Sequence, residues 1–313
     1  MTNTTDLRGI GAAQPAGRSS LARKHLRDYL TAYAFISPWI IGFLFFTGGP
    51  IVASFVLSFF RWKVITPPHF AGLDNFVRLF TSDALFRTSL WATTKYVLWS
   101  VPSAQVVALF LAILLNQKVR GLGLWRTIFY LPAVVSGVAG AVIWVWMYDR
   151  DLGIINNLLH LVGRPGVTWL YDVNTALPAL VLKSLWNVGT PMVVYLAALQ
   201  AMPQHLYEAA EIDGAGEWTK LRHITLPMLT PVIFFNLVIG FIFAVQAFAD
   251  PYVMTQGGPE NSTLLLGVYL YQTAFGYLQM GYAAAIAWFM FLVIFVLTVI
   301  QLRLGAFWVY YET

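Results

Sequence analysis

Long apolar runs separated by shorter polar ones dominate the chain. Six of them, at residues 33–60, 92–116, 127–148, 176–201, 231–254 and 282–302, reach the roughly 20 residues that a helix needs to cross a hydrocarbon core. None shows the strand-like alternation of an outer-membrane barrel, so helices are the spanning solution that satisfies the backbone. The pattern predicts an all-α membrane protein, a six-helix transmembrane bundle with both termini on one side. Ser37-Pro38 and Gly48-Gly49-Pro50 predict a kinked or divided first span. In the segment 61–91, apolar positions at helical spacing over 72–80 predict a short interfacial helix. The segment 149–175 is polar with short apolar pieces, and Gly257-Gly258-Pro259 predicts a sharp turn at the membrane edge.

Composition agrees with insertion in a lipid bilayer. Hydrophobic residues make up 58% of the chain and charged residues 11%, against about a quarter charged in soluble domains. Residues 1–29 are polar, basic and rich in Ser, Gly and Ala, which predicts a flexible tail, with 30–313 as one transmembrane domain. A cleaved signal peptide does not fit, because both the charged region and the apolar run are too long. With no Cys and with five scattered His residues, thiol chemistry is excluded and no metal site is expected.

Basic residues set the expected orientation. Arg8, Arg18, Arg23, Lys24 and Arg27, then Lys118, Arg120 and Arg126, then Lys220 and Arg222, and finally Arg303, fall on one side; Arg61, Lys63, Arg78, Arg87, Arg150 and Arg164 fall on the other. The richer side is cytoplasmic by the positive-inside rule, so the prediction is N-in and C-in. The net charge of +5 is accounted for by a basic edge against anionic lipid, and no nucleic-acid partner is called for.

One cytoplasmic loop, 203–227, is too elaborate for a simple connection. Glu208-Ala209-Ala210 and Glu211 predict a short helix after Pro203, ended by Gly214 acting as a C-cap. A second helix through 218–224 would carry Trp218, Leu221 and Ile224 on an apolar face, with Lys220 and Arg222 towards water, and Pro227 would close it. A small Ala face lets another backbone approach, and flanking acids offer charge-assisted contacts to Arg or Lys. The loop therefore reads as a docking surface for a soluble partner.

The spacing Glu-Ala-Ala, Gly214, nine residues, then Ile224-Thr225-Leu226-Pro227 resembles the signature loop of permease subunits in bacterial binding-protein-dependent ABC importers. The rest resembles the carbohydrate branch, and within it the first permease of maltose- and glycerol-phosphate-type systems. It does so through Ile36-Ser37-Pro38, Gly72-Leu73-Asp74-Asn75-Phe76, Arg126-Thr127-Ile128-Phe129-Tyr130-Leu131-Pro132, Asp213-Gly214-Ala215, Pro251-Tyr252-Val253 and Trp308-Val309-Tyr310-Tyr311-Glu312. The resemblance implies a type I importer permease fold in the bacterial inner membrane. It also implies a cytoplasmic ATP-binding subunit, a second permease, an extracytoplasmic solute-binding protein and a carbohydrate substrate. Glu208, Ala209, Ala210, Asp213 and Gly214 would form the coupling element that docks on the ATPase, with Glu208 meeting a basic residue there. ATP and Mg would be held by that partner, with no cofactor on this chain; consistently, the chain has no G-x-x-x-x-G-K-[ST] loop.

Substrate-pathway candidates lie in the fourth and fifth spans. Lys183 and Asn187 sit among Ser184, Gly189, Thr190 and Pro191, and ionisable groups in a span are functional candidates. Lys183 also has an open alternative, with its ammonium snorkelling to the outer interface. Phe243, Gln246 and Asp250 are predicted to share one helical stripe, a ring beside amide and carboxylate of the kind that binds sugars; helix–helix hydrogen bonding is the alternative. A stand-alone ion-coupled carrier would need repeated halves with broken helices and buried acids. A membrane hydrolase would need a Ser–His pair, and no span carries His.

Overall fold

The computed structural model describes residues 18–117 and 120–310, with side chains from residue 28. Residues 1–17 of the predicted tail, Lys118, and Tyr311-Glu312 lie outside the described residues. The chain divides into two compact units, Met1–Ser54 and Phe55–Thr313. In the first, α1 (Arg18–Phe43) continues through a π-helical turn (Leu44–Gly48) into α2 (Gly49–Leu57). Helix thus begins inside the segment expected to be tail, where Leu21, Ala22 and Leu26 among Arg and Lys are good helix formers. The expected division of this span is absent; the wider turn sits just before Pro50 and accommodates its missing N–H.

The second unit opens with a two-stranded ribbon, β1 (Phe60–Arg61) antiparallel to β2 (His69–Phe70), then the short helix α3 (Asp74–Thr81) expected from the pattern. There follow α4 (Ala84–Asn116), α5 (Leu122–Val134), α6 (Gly137–Met147), α7 (Ile154–Leu161), α8 (Ala176–Trp186) and α9 (Gly189–Gln200). Next come α10 (Gln204–Ile212), α11 (Glu217–Lys220), α12 (Leu226–Val245), α13 (Ala249–Thr255), α14 (Leu266–Tyr271) and α15 (Met280–Trp308). Among the described residues, four helices are long and apolar enough to span: Asp28–Leu57, Ala84–Asn116, Glu217–Val245 and Met280–Trp308. Counting the pairs α5 with α6, bent by 103°, and α8 with α9, bent by 44°, gives up to 6.

Helix α4 is the spine of this unit. Its outer-numbered half packs with α6, α8 and the end of α12 around Tyr96, Val101, Trp144, Leu180 and Val245. Its later half packs Ala108, Ala112 and Leu115 against Met192, Tyr195 and Leu199 of α9 and Leu229 of α12. A polar chain crosses this second cluster: the Tyr195 hydroxyl donates to Gln105 Oε1 at 2.6 Å, and Gln105 Nε2 donates to the Asn236 carbonyl at 3.2 Å. Pro102 removes one rung of the α4 ladder, at the Leu98 carbonyl, without breaking the helix, and the neighbouring Ser103 Oγ donates back to the carbonyls of Trp99 and Ser100.

Asp83 organises the other end of α4. Its Oδ1 accepts the Phe86 N–H at 2.9 Å as an N-cap, while Oδ2 accepts the hydroxyls of Tyr269 and Tyr282 from α14 and α15. Burial pushes its pKa up, but the tyrosine and Phe86 hydrogen bonds, with the Arg78 guanidinium nearby, outweigh that and hold the carboxyl below its ordinary value. A depressed folded pKa stabilises above the unfolded value of about 4 and loses that contribution as pH falls through the folded value. We predict that Asp83→Ala costs about 2–4 kcal/mol at pH 7. In detergent thermal unfolding, its deficit against wild type should shrink as the pH falls below the ordinary carboxylate value of about 4 and on through the lower folded value.

Candidate functional site: an exposed hairpin and a buried ion pair

The hairpin between α9 and α12 is built as the spacing of its residues requires at one point and differently at another. Helix α10 starts after Pro203, whose fixed φ suits the extended cap position. It ends in a Schellman motif: the Ala215 N–H reaches the Ala210 carbonyl at 2.9 Å, and the Gly214 N–H reaches the Glu211 carbonyl at 3.0 Å. Gly214 takes φ +75°, where any side chain is strained even though the space around it is open. Glu208, Ala209, Asp213 and Gly214 are exposed and Ala210 is half-buried. Ile212 and Trp218, 88% and 72% exposed, add apolar surface to the same hairpin.

The second helix differs from expectation. No separate helix closes at Pro227: residues from Glu217 run unbroken to Val245, with a π turn at Leu221–Thr225 directly before the proline. Lys220 does not face water but is buried, its ammonium 2.9 Å from Glu211 Oε1 and 2.5 Å from Glu217 Oε1. Two acids of the loop are therefore occupied, and Glu208 and Asp213 enter no ion pair among the described residues.

The fourth and fifth spans are interrupted by one shared device. Pro191 and Pro251 each lack an N–H and crowd the carbonyl four residues back, at Asn187 and Ala247. Proline alone does not break a helix here, since Pro102 and Pro231 lie inside intact ones. At the two breaks a glycine also meets a neighbouring backbone: Gly189 abuts Phe129 and Tyr130, where a Cβ would fall 2.9 Å from the Phe129 carbonyl, and Gly267 abuts Ala247, with 2.7 Å to its carbonyl. Span five accordingly stops at Val245, and α13 starts afresh at Ala249. Phe243, Gln246 and Asp250 thus do not share a continuous helical stripe. Phe243 is 71% exposed in the last turn of α12, Gln246 is exposed at its C-cap, and Asp250 belongs to α13.

Lys183 and Asp250 meet across these breaks. The ammonium lies 2.5 Å from Asp250 Oδ2, with the lysine side chain 1% and the aspartate 24% exposed. Snorkelling is excluded for Lys183, because its charge is neutralised inside the bundle rather than lifted to an interface. The pair joins α8 to α13, which packs against α6 and α8, and Tyr96 of α4 lies beside Asp250 and Ser184. Asn187 is exposed at the C-cap of α8.

On the ribbon face, segments far apart in sequence are stitched together. Lys63 pairs with Gln279, the Val64 N–H donates to the Leu278 carbonyl, and Arg78 Nη1 donates to Gln279 Oε1 at 2.9 Å. Arg78 also stacks 4.1 Å over the Tyr282 ring. A cleft of ≈ 480 Å³ here is lined by Arg61, Lys63, His69, Asp74, Arg78 and Gln279, among others. Elsewhere Asn156, buried on α7, binds the carbonyls of Asp149, Arg150 and Val167 and accepts from Trp169 Nε1. Nothing in the local sequence marks Asn156, whereas Ser82-Asp83 before α4 carries a readable N-cap signature.

Broken spans held by a buried charge pair, with an exposed capped hairpin leading from α9 into the long helix Glu217–Val245, fit a multi-pass membrane protein of the permease kind. The chain belongs to the binding-protein-dependent transport system inner membrane component family, whose profile matches residues 89–307. It is 44% identical over 296 residues to the probable ABC transporter permease protein YesP of Bacillus subtilis (strain 168), covering 93% of this chain and 96% of the relative. It is 36% identical over 279 residues to the arabinooligosaccharides transport system permease protein AraP of the same organism, covering 87% and 88%. Among solved structures it is similar to a chain of a bacterial ABC transporter involved in the import of the acidic polysaccharide alginate. That match has TM-score 0.80 and 26% identity, covering 92% of this chain and 98% of that one. As a permease it is a transport subunit and not an enzyme.

Removing one partner of the buried pair leaves an uncompensated charge among apolar groups. We predict that Lys183→Met destabilises the protein by about 3–5 kcal/mol, and that Lys183→Met combined with Asp250→Leu returns most of it. Thermal unfolding of the purified variants in detergent measures both.

Proposed function

We propose that the chain forms half of the translocation pathway of an ATP-driven importer for mono- or oligosaccharides or sugar-like solutes. It crosses the bacterial inner membrane six times, each bent pair counting as one crossing, with both termini in the cytoplasm. Loop 203–227 then faces a cytoplasmic ATP-binding subunit, which carries ATP and Mg. The carrying observation is the end of α10: an exposed Glu208-Ala209 surface terminated by a Gly214 whose positive φ admits little but glycine. Glu208, Ala209, Ala210, Asp213 and Gly214 make the docking element. Glu208 and Asp213 are the acids left for a basic partner, since Glu211 is held by Lys220. The permease names of the relatives, one of them for arabinooligosaccharides, support a sugar cargo.

The pathway is completed by a second permease subunit, and solute arrives from an extracytoplasmic binding protein. The ribbon face, with its cationic cleft, is the surface that protein meets. Sugar passes the two breaks, where Phe243 offers a ring face and Gln246 and Asn187 offer amides. Lys183 and Asp250 fix the breaks that carry these groups. Alternating access follows: the ATPase pair closes, the hairpins move with it, and the pathway opens outward.

In the reconstituted importer, Gly214→Asp should assemble but lose about tenfold or more of ATP-dependent uptake. Full uptake by this variant would overturn the coupling assignment. Gln246→Ala should raise the KM for uptake severalfold, consistent with about 1 kcal/mol from one hydrogen bond.

A further inference from the structure

Two side-chain rungs tie α10 to the root of the long helix Glu217–Val245. In the first, Lys220 is buried with its ammonium on Glu211. In the second, the Tyr207 hydroxyl lies 2.9 Å from Thr225 Oγ1, a buried group in the π turn, and also 3.1 Å from Met202 Sδ. Tyr207 and Glu211 are four apart, hence on one face of α10, and that face lies on the long helix.

The backbone between the two helices does not supply this rigidity. The Schellman bonds hold Gly214 and Ala215 to the end of α10, and beyond them Gly216 alone links to the long helix, which leaves the angle between the two helices open. On the other side, α10 joins α9 through Ala201, Met202 and an extended Pro203, with no side-chain cap. The rungs therefore decide with which span α10 travels.

We infer that α10 and the helix Glu217–Val245 move as one lever, and that Lys220 and Thr225 are the positioning residues that make it so. The coupling stroke enters the bundle through the long helix of span five and reaches span four through the packing of α9 on that helix. A helix of 29 residues is about 43 Å long. Its far end is Val245, beside Gln246 and the break at which Asp250 begins a new helix. A displacement of the hairpin thus arrives at the residues assigned to the pathway along one continuous helix, through its π turn and past Pro227 and Pro231. The inference rests on the coupling role proposed for α10.

The test uses the complete reconstituted importer and the absence of native Cys in this chain. Glu211→Cys with Lys220→Cys, bridged by a thiol-reactive linker as long as the native ion pair, welds the two helices. A single lever tolerates the weld, so the uptake of the bridged importer should at least match that of its unbridged form, which lacks the Lys220 rung, and move towards that of the unmutated importer. Arrest on bridging would show that the helices move apart during turnover and would overturn the lever. In parallel, Lys220→Met with Thr225→Val should lower solute moved per ATP about tenfold, and an unchanged ratio would also overturn it. Gly214→Asp separates the two ideas: if that variant is uncoupled while the rung variants are not, the lever fails and the coupling assignment stands.

Discussion

A lysine ammonium and an aspartate carboxylate sealed in an apolar bundle can persist only in contact with each other, and the arrangement of spans four and five follows from that contact. Either charge alone would cost more than the local packing returns. Lys183 and Asp250 lie on different helices separated by 67 positions of chain, so their pairing fixes α13 against α8. That in turn requires α13 to be independent of α12, because a straight fifth span would carry Asp250 onward along the axis of α12. The break after Val245 and the ion pair are two aspects of one constraint.

Prolines are handled in three ways, and the differences show how environment selects among them. In α4 the helix simply continues past Pro102, one rung short. Before Pro50 and Pro227 the helix widens into a π turn and also continues. At Pro191 and Pro251 it stops, and there a glycine brings foreign backbone against the site of strain. Continuity below Val245 gives a stiff element, and interruption beyond it leaves Gln246 exposed. Stiffness and exposure are thereby placed on adjoining stretches of one span.

Much of the architecture was legible in the run lengths, because insertion in lipid makes apolar length a nearly sufficient signal for a spanning helix. The end of α10 was legible too, since Gly after a helical pattern has a local meaning. The continuous helix from Glu217 was not, because rules for proline are local while its tolerance depends on a π turn. The breaks at 187 and 247 required knowing that Gly189 and Gly267 face other segments. Lys220 was read as solvated for a similar reason: its partner Glu211 sits beyond a turn whose geometry the sequence leaves open. Lys183 was singled out as an ionisable group in a span and Asp250 as part of a sugar-binding stripe, and only proximity in three dimensions shows that each is the other's counter-charge.

The stitched ribbon face has a bearing on biogenesis. Lys63 and Arg78 near the start of the chain find Gln279 and Tyr282 only after every intervening helix has been inserted, and Asp83 likewise waits for Tyr269 and Tyr282. Contacts of such long sequence separation close late, when the loop between them is already ordered. A chain stalled or truncated before α14 would leave Asp83 with its Phe86 cap but neither tyrosine, and the ribbon without Gln279. The ribbon face is therefore complete only once the last helices of the chain are in place.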